Sequence, residues 1–92
     1  MAQVIITLKI MPESPDSDLS KIQKEAERLI KDFKAEVGKV EEQPVAFGLR
    51  ALLIYIISDE KNGDTEPLEK RISEIAGVNS VDVIDVRRAV EF

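Results

Sequence analysis

PVAFGLRALLIYIIS, residues 44–58, contains the chain's longest apolar run. From Leu49 to Ser58 it predicts a strand apolar on both faces, as a central strand of a sheet must be. Pro44 cannot donate to a sheet ladder, so the strand expected over Lys39–Val45 belongs at an edge. Phe47 and Gly48 stand at the entrance to the apolar run, with Arg50 just inside it. Pattern alone leaves two readings of this pair. Phe47 plugs the end of the core while Gly48 forms a bulge, or Phe47 is displayed to a partner and Gly48 takes backbone angles closed to other residues.

Outward from this stretch the elements follow in order. Val4, Ile6, Leu8 and Ile10 alternate within Ala2–Met11 and predict a half-buried strand. Pro12, Ser14, Pro15 and Asp16 end it. Leu19, Ile22, Ala26, Leu29, Ile30, Phe33 and Val37 then recur at helical spacing, with Gly38 expected as the C-terminal cap. After the central strand, Lys61-Asn62-Gly63-Asp64 reads as a turn or loop. A short helix begins at Thr65 or Glu66, carries Pro67 in its first turn and stops at Gly77. A last strand is expected from Val78 to about Val86. The order β-α-β-β-α-β predicts an α+β, ferredoxin-like domain, a four-stranded antiparallel sheet with both helices on one face. Ala51, Leu53, Tyr55 and Ile57 would then line the open face beside Ile5. That face is either an apolar patch for a partner or self-association, or a sheet surface partly covered by its own neighbours.

Ninety-two residues, 43% hydrophobic and 34% charged, suit one globular domain over 1–92. A net charge of −5 disfavours general nucleic-acid binding, which needs Lys and Arg against phosphates. A local basic patch at one end is compatible with that balance. With neither cysteine nor histidine, thiolate metal sites, redox chemistry and the usual general base are excluded. No phosphate-loop or dinucleotide-binding glycine pattern occurs. Glu13, Asp16 and Asp18 do not match a calcium loop, and acids near a helix N-terminus are favourable in their own right. Tyr55 alone does not make an RNA-stacking sheet. No apolar run is long enough to span a bilayer and no signal peptide is evident, so the expectation is a cytoplasmic protein that is not an enzyme.

Phe47-Gly48-Leu49-Arg50 resembles the segment opening the third strand of the elongation factor 1-beta exchange-domain family. MPESPDSDL (11–19) is similar to the first loop of that family's archaeal branch, and the ending VDVIDVRRAV (81–90) resembles its close. The resemblance spans essentially the whole chain. It implies a guanine-nucleotide-exchange domain that binds the GTPase elongation factor 1-alpha, promotes GDP release and lets GTP enter. The family phenylalanine that enters a pocket of the GTPase falls on Phe47, beside Gly48 and Arg50. The lysine that eukaryotic members direct at the magnesium and phosphate region falls on Arg88, next to Arg87. Arginine for lysine exchanges a compact point charge for a planar fork, and four residues follow Arg88 where eukaryotic members stop almost at once. The region that joins eukaryotic members to a larger complex is not expected here. No cofactor is expected; nucleotide and magnesium would belong to the GTPase. A monomer or weak homo-oligomer is expected. The alternative is a small-molecule or oligomer-forming regulatory domain that uses the open face around Leu53 and Tyr55.

Overall fold

The computed structural model describes residues 3–59, 61 and 65–89. It has the expected order: β1 (Gln3–Pro12), α1 (Leu19–Asp32), β2 (Glu36–Pro44), β3 (Arg50–Asp59), α2 (Glu66–Ser73) and β4 (Val78–Ala89). The strands form one antiparallel sheet in the order β2-β3-β1-β4, and the fold is ferredoxin-like. β3 and β1 are central, and Pro44 ends an edge strand, as the missing donor demands. The turn expected at Asn62–Asp64 lies outside the described residues.

Strand alternation sorts the side chains. Ile6, Leu8 and Ile10 of β1 and Leu52, Ile54 and Ile56 of β3 face the helices. They meet Ile22, Ala26, Leu29 and Ile30 of α1 and Leu68 and Ile72 of α2. Asp18 caps α1 by accepting a hydrogen bond from the Lys21 backbone N–H at 3.2 Å.

Two element ends differ from expectation. α1 stops at Asp32, six residues before the expected glycine cap at Gly38. The cap is built by Lys34, whose φ of 65° is left-handed. The Lys34 N–H donates to the Lys31 carbonyl at 2.9 Å and the Ala35 N–H to the Ile30 carbonyl at 3.1 Å. That pairing closes the last turn without glycine, with Ala35 and Ile30 both in the core. Gly38 instead lies inside β2, beside a register shift between Val37 and Lys39. There an added Cβ would come within 3.1 Å of the Ile57 side chain. β4 runs on to Ala89 rather than ending at Val86, since Arg87, Arg88 and Ala89 pair with Ile5, Val4 and Gln3, and Ile84 is an extra residue between Val83, opposite Leu8, and Asp85, opposite Thr7. Simple alternation breaks there although the ladder continues.

Ala51, Leu53, Tyr55 and Ile57 do lie on the open face, yet Ala51 and Leu53 are buried. Leu53 is flanked by Lys9 of β1 and Glu41 of β2. The Lys39 Nζ lies 2.7 Å from the Glu41 carboxylate and 5.9 Å from the centre of the Tyr55 ring. The Tyr55 hydroxyl donates to the same carboxylate at 3.5 Å. The hydrogen bond and charge of Lys39 hold Glu41 below the usual carboxylate range and, reciprocally, Lys39 above the usual amine range. Because Glu41 is lowered, the support it gives is present above the ordinary carboxylate pKa and is lost as the pH falls through its own. This solvated cluster screens the middle of the sheet.

Strand direction fixes which features share an end. β3 and β4 are each antiparallel to β1, so they run the same way. The start of β3 and the end of β4 therefore sit at opposite ends of the sheet.

Candidate functional site

One end is built around the β2–β3 connection. Pro44 pairs with Arg50, and the residues between form a short 3-10 turn at Ala46–Gly48. The Val45 N–H donates to the Leu49 carbonyl at 2.9 Å, and the Leu49 N–H to the Ala46 carbonyl at 3.3 Å. Such a tight reversal needs positive φ, and both Phe47 (63°) and Gly48 (74°) supply it. For Gly48 the angle costs little. For Phe47 it costs about 1 to 2 kcal/mol, since Cβ crowds the following carbonyl. The ring gains no burial in return: it is 92% exposed, the most exposed of the large hydrophobic side chains described. A strained backbone that displays an aromatic ring to water weakens the domain, which points to a partner as its reason. The core-plug reading of Phe47 is therefore set aside.

The first loop faces this turn across a cavity and is fixed by bonds of its own. Its Glu13 N–H donates to the Gly77 carbonyl at 2.8 Å, and Ser17 Oγ accepts from the Ser14 N–H at 3.3 Å. A shallow cavity of about 260 Å³ lies between them, lined by Pro12, Ser14, Pro15, Ser17, Leu19, Gly48 and Arg50. Arg50 approaches Glu42 at 3.6 Å, a solvent-exposed pair of small energetic weight. In sequence this loop enters only through its acids, which do not match a calcium loop, and through the family resemblance of residues 11–19. The signal lay in the topology, because the end of β1 and the start of β3 are neighbours in any such sheet.

An added Cβ at Gly48 would meet nothing within 4 Å, so the angle alone calls for glycine there. Gly48→Ala is expected to destabilise the domain by about 1 kcal/mol, lowering the thermal midpoint by roughly 4 to 8 °C. A melting curve followed by circular dichroism checks it.

The opposite end holds the arginines. Arg87 lies opposite Ile5 on the open face, and Arg88 opposite Val4 on the helix face. Both are exposed, and the Arg87 Nε donates to Asp85 at 2.9 Å. The ten residues of β3 separate this end from the Phe47 turn, and at about 3.3 Å per residue the two ends lie roughly 30 Å apart. The structure thus joins Phe47, Gly48 and Arg50 at one end and Arg87 with Arg88 at the other. It does not bring the two groups together. Among the described residues no cluster of acids is placed to hold a metal ion, and no helix is long and apolar enough to cross a membrane.

Residues 5–89, which include both ends, match the EF-1 guanine nucleotide exchange domain. The chain belongs to that family. It is 43% identical over 88 residues to elongation factor 1-beta of Methanothermobacter thermautotrophicus, covering 96% of this chain and 98% of that protein. With the elongation factor 1-beta of Methanobrevibacter smithii it shares 46% over the same proportions. With that of Methanosarcina barkeri it shares 39%, covering 96% and 99%. Among solved structures, the ACT domain of GTP pyrophosphokinase from Chlorobium tepidum superposes with a TM-score of 0.61 at 13% identity, over 89% of this chain and 99% of that one. A de novo designed protein superposes at 0.53 and 19%, over 99% and 98%. At those identities the superpositions speak for the fold alone. Family membership rests on the match of residues 5–89 and on the sequence relatives, which align with this chain over nearly their whole length.

Proposed function

We propose that this protein is the guanine-nucleotide exchange factor of the GTPase elongation factor 1-alpha, promoting GDP release and GTP loading so that aminoacyl-tRNA delivery can resume. The match of residues 5–89 to the exchange-domain family carries this reading. The strained, exposed Phe47 supports it, since the domain bears a cost that only a partner repays. In this reading the protein works in the cytoplasm and needs no cofactor, because nucleotide and magnesium reside on the GTPase. Exchange makes and breaks no covalent bond. The factor has only to bind the empty GTPase more tightly than the occupied one.

Magnitudes divide the labour between the ends. A thousandfold faster release needs about 4 kcal/mol of selective stabilisation. Burying one phenylalanine yields roughly 1.5 to 3 kcal/mol, and a pocket some 30 Å from the nucleotide gives most of that to both nucleotide states alike. Phe47 is then the anchor. The selective part falls to Arg87 and Arg88, which compete for the phosphate and magnesium contacts of the nucleotide site, where the ion is among the largest local charges. The rigid sheet holds anchor and competitor at a fixed separation, so little ordering cost is added on binding.

The regulatory-domain alternative is not favoured. It needed an open apolar face, and Ala51 and Leu53 are buried there. The exchange reading is tested by adding the protein to an archaeal elongation factor 1-alpha loaded with fluorescent GDP and excess unlabelled nucleotide. Faster loss of fluorescence, rising to a plateau with factor concentration, is the expected result. A release rate unchanged at every concentration overturns it.

A further inference from the structure

Three large hydrophobic side chains are exposed among the described residues: Phe47, Ile84 (51%) and Val86 (59%). The last two belong to β4, whose outer side no strand covers. The sheet's other edge, β2, is shorter and ends in Pro44, which cannot donate to a ladder. β4 has no proline, and its middle, Val81-Asp82-Val83-Ile84-Asp85-Val86, is a strand-forming run with free backbone groups on its outer side.

We propose that β4 pairs edge to edge and antiparallel with β4 of a second copy, about a two-fold axis at the Ile84–Asp85 peptide, joining the two sheets into one. This register opposes Ile84 to Asp85, Val83 to Val86, Asp82 to Arg87 and Val81 to Arg88, each pair occurring twice. In a regular strand the members of these pairs would lie on opposite faces, because their numbers differ by an odd amount. The bulge at Ile84 shifts the phase by one residue. Asp82, opposite Lys9, and Arg87, opposite Ile5, consequently share the open face. Val81 and Val83, which pack on the core, share the helix face with Val86, opposite Ile6, and Arg88, opposite Val4.

Charge selects this register over its neighbours. Sliding one copy along by a pair of residues in one direction sets Asp82 against Asp85, a like-charge clash. In the other direction Asp85 meets Val86 across opposite faces. The proposed register matches faces and sets the opposite charges of Asp82 and Arg87 against each other. It also carries Arg88 of the second copy to Val81, beside an open groove of about 680 Å³ lined by Glu66, Pro67, Glu69, Lys70, Ser73 and Val81. In the same step the exposed Val86 meets Val83 of the second copy, and Ile84 meets Asp85. One strand pairing is a small interface, so the dissociation constant is on the order of 10 to 100 µM.

The inference rests on β4 alone and holds whatever the domain acts on. Under the exchange reading the dimer covers Arg87 and Arg88, so self-pairing and exchange exclude each other. Sedimentation equilibrium of the full chain, from about 10 µM to about 1 mM, tests it without any GTPase. A monomer–dimer equilibrium is expected. Val86→Lys and Arg87→Asp should each weaken it at least tenfold, and the charge swap Asp82→Arg with Arg87→Asp should restore it. A monomer at every concentration overturns the proposal, as does a dimer indifferent to these substitutions. Circular dichroism of each variant confirms that the fold is kept.

Discussion

Truncating Phe47 to alanine is expected to raise the concentration of this protein needed for half-maximal GDP release by roughly 10- to 150-fold, the equivalent of the 1.5 to 3 kcal/mol in burying the ring. The maximal rate at saturation should stay within about threefold, because a contact made alike with the occupied and the empty GTPase changes affinity and not the selective step. Folding stability should hardly move, within about 0.5 kcal/mol, since a ring 92% exposed loses no burial when it is cut back. These three readouts together separate an anchor from a structural residue. If Phe47 instead plugged the core, truncation would cost several kcal/mol of stability, as buried aromatics do. A concentration dependence identical to that of the wild-type protein would remove Phe47 from the interface.

How far these features were legible in the sequence depends on what kind of signal each left. The alternation of Val4, Ile6, Leu8 and Ile10, and the unbroken apolar run of Leu52–Ile57, are consequences of burial and lead directly to β1, β3 and their central places. The C-terminus of α1 was hidden because Phe33 and Val37 continue the helical spacing, and because the left-handed residue that ends the helix is Lys34, a type with no special affinity for that angle. β4 was cut short for a related reason. Alternation identifies a strand only while its phase is kept, and the extra residue Ile84 breaks the phase without ending the ladder.

The site was legible to a different degree at each end. Composition cannot distinguish an exposed Phe47 from a buried one, since most phenylalanines are core; the exposure of the ring in the structure decides the matter. The roughly 30 Å between Phe47 and the arginines was implicit in the topology, because two strands antiparallel to the same neighbour run alike. The share of the first loop in the Phe47 end was implicit in the same way. Neither is visible in a motif, because a motif records residue types in sequence and carries no direction in space.

The separation also sets the expected behaviour of the second end. Replacing Arg87 and Arg88 together by alanine should lower the maximal rate of GDP release by on the order of 100-fold, while the half-saturating concentration stays within about threefold. Under the exchange reading these side chains act where the nucleotide's charge is held, so their contribution differs between the occupied and empty states and appears in the rate. Arg88→Lys should recover most of the loss, because competition for phosphate and magnesium contacts needs positive charge more than it needs the planar fork. Raising the salt concentration should mimic the double substitution in part, as screening reaches exposed charges first. Combined with Phe47→Ala, the two effects should multiply, since sites so far apart share no partner and their free energies add. Measuring release against factor concentration for the four combinations gives both parameters at once. A double arginine variant that keeps its full maximal rate would show that the selective step lies elsewhere on the domain, and the cavity formed by the first loop, Gly48 and Arg50 would be the next place to look.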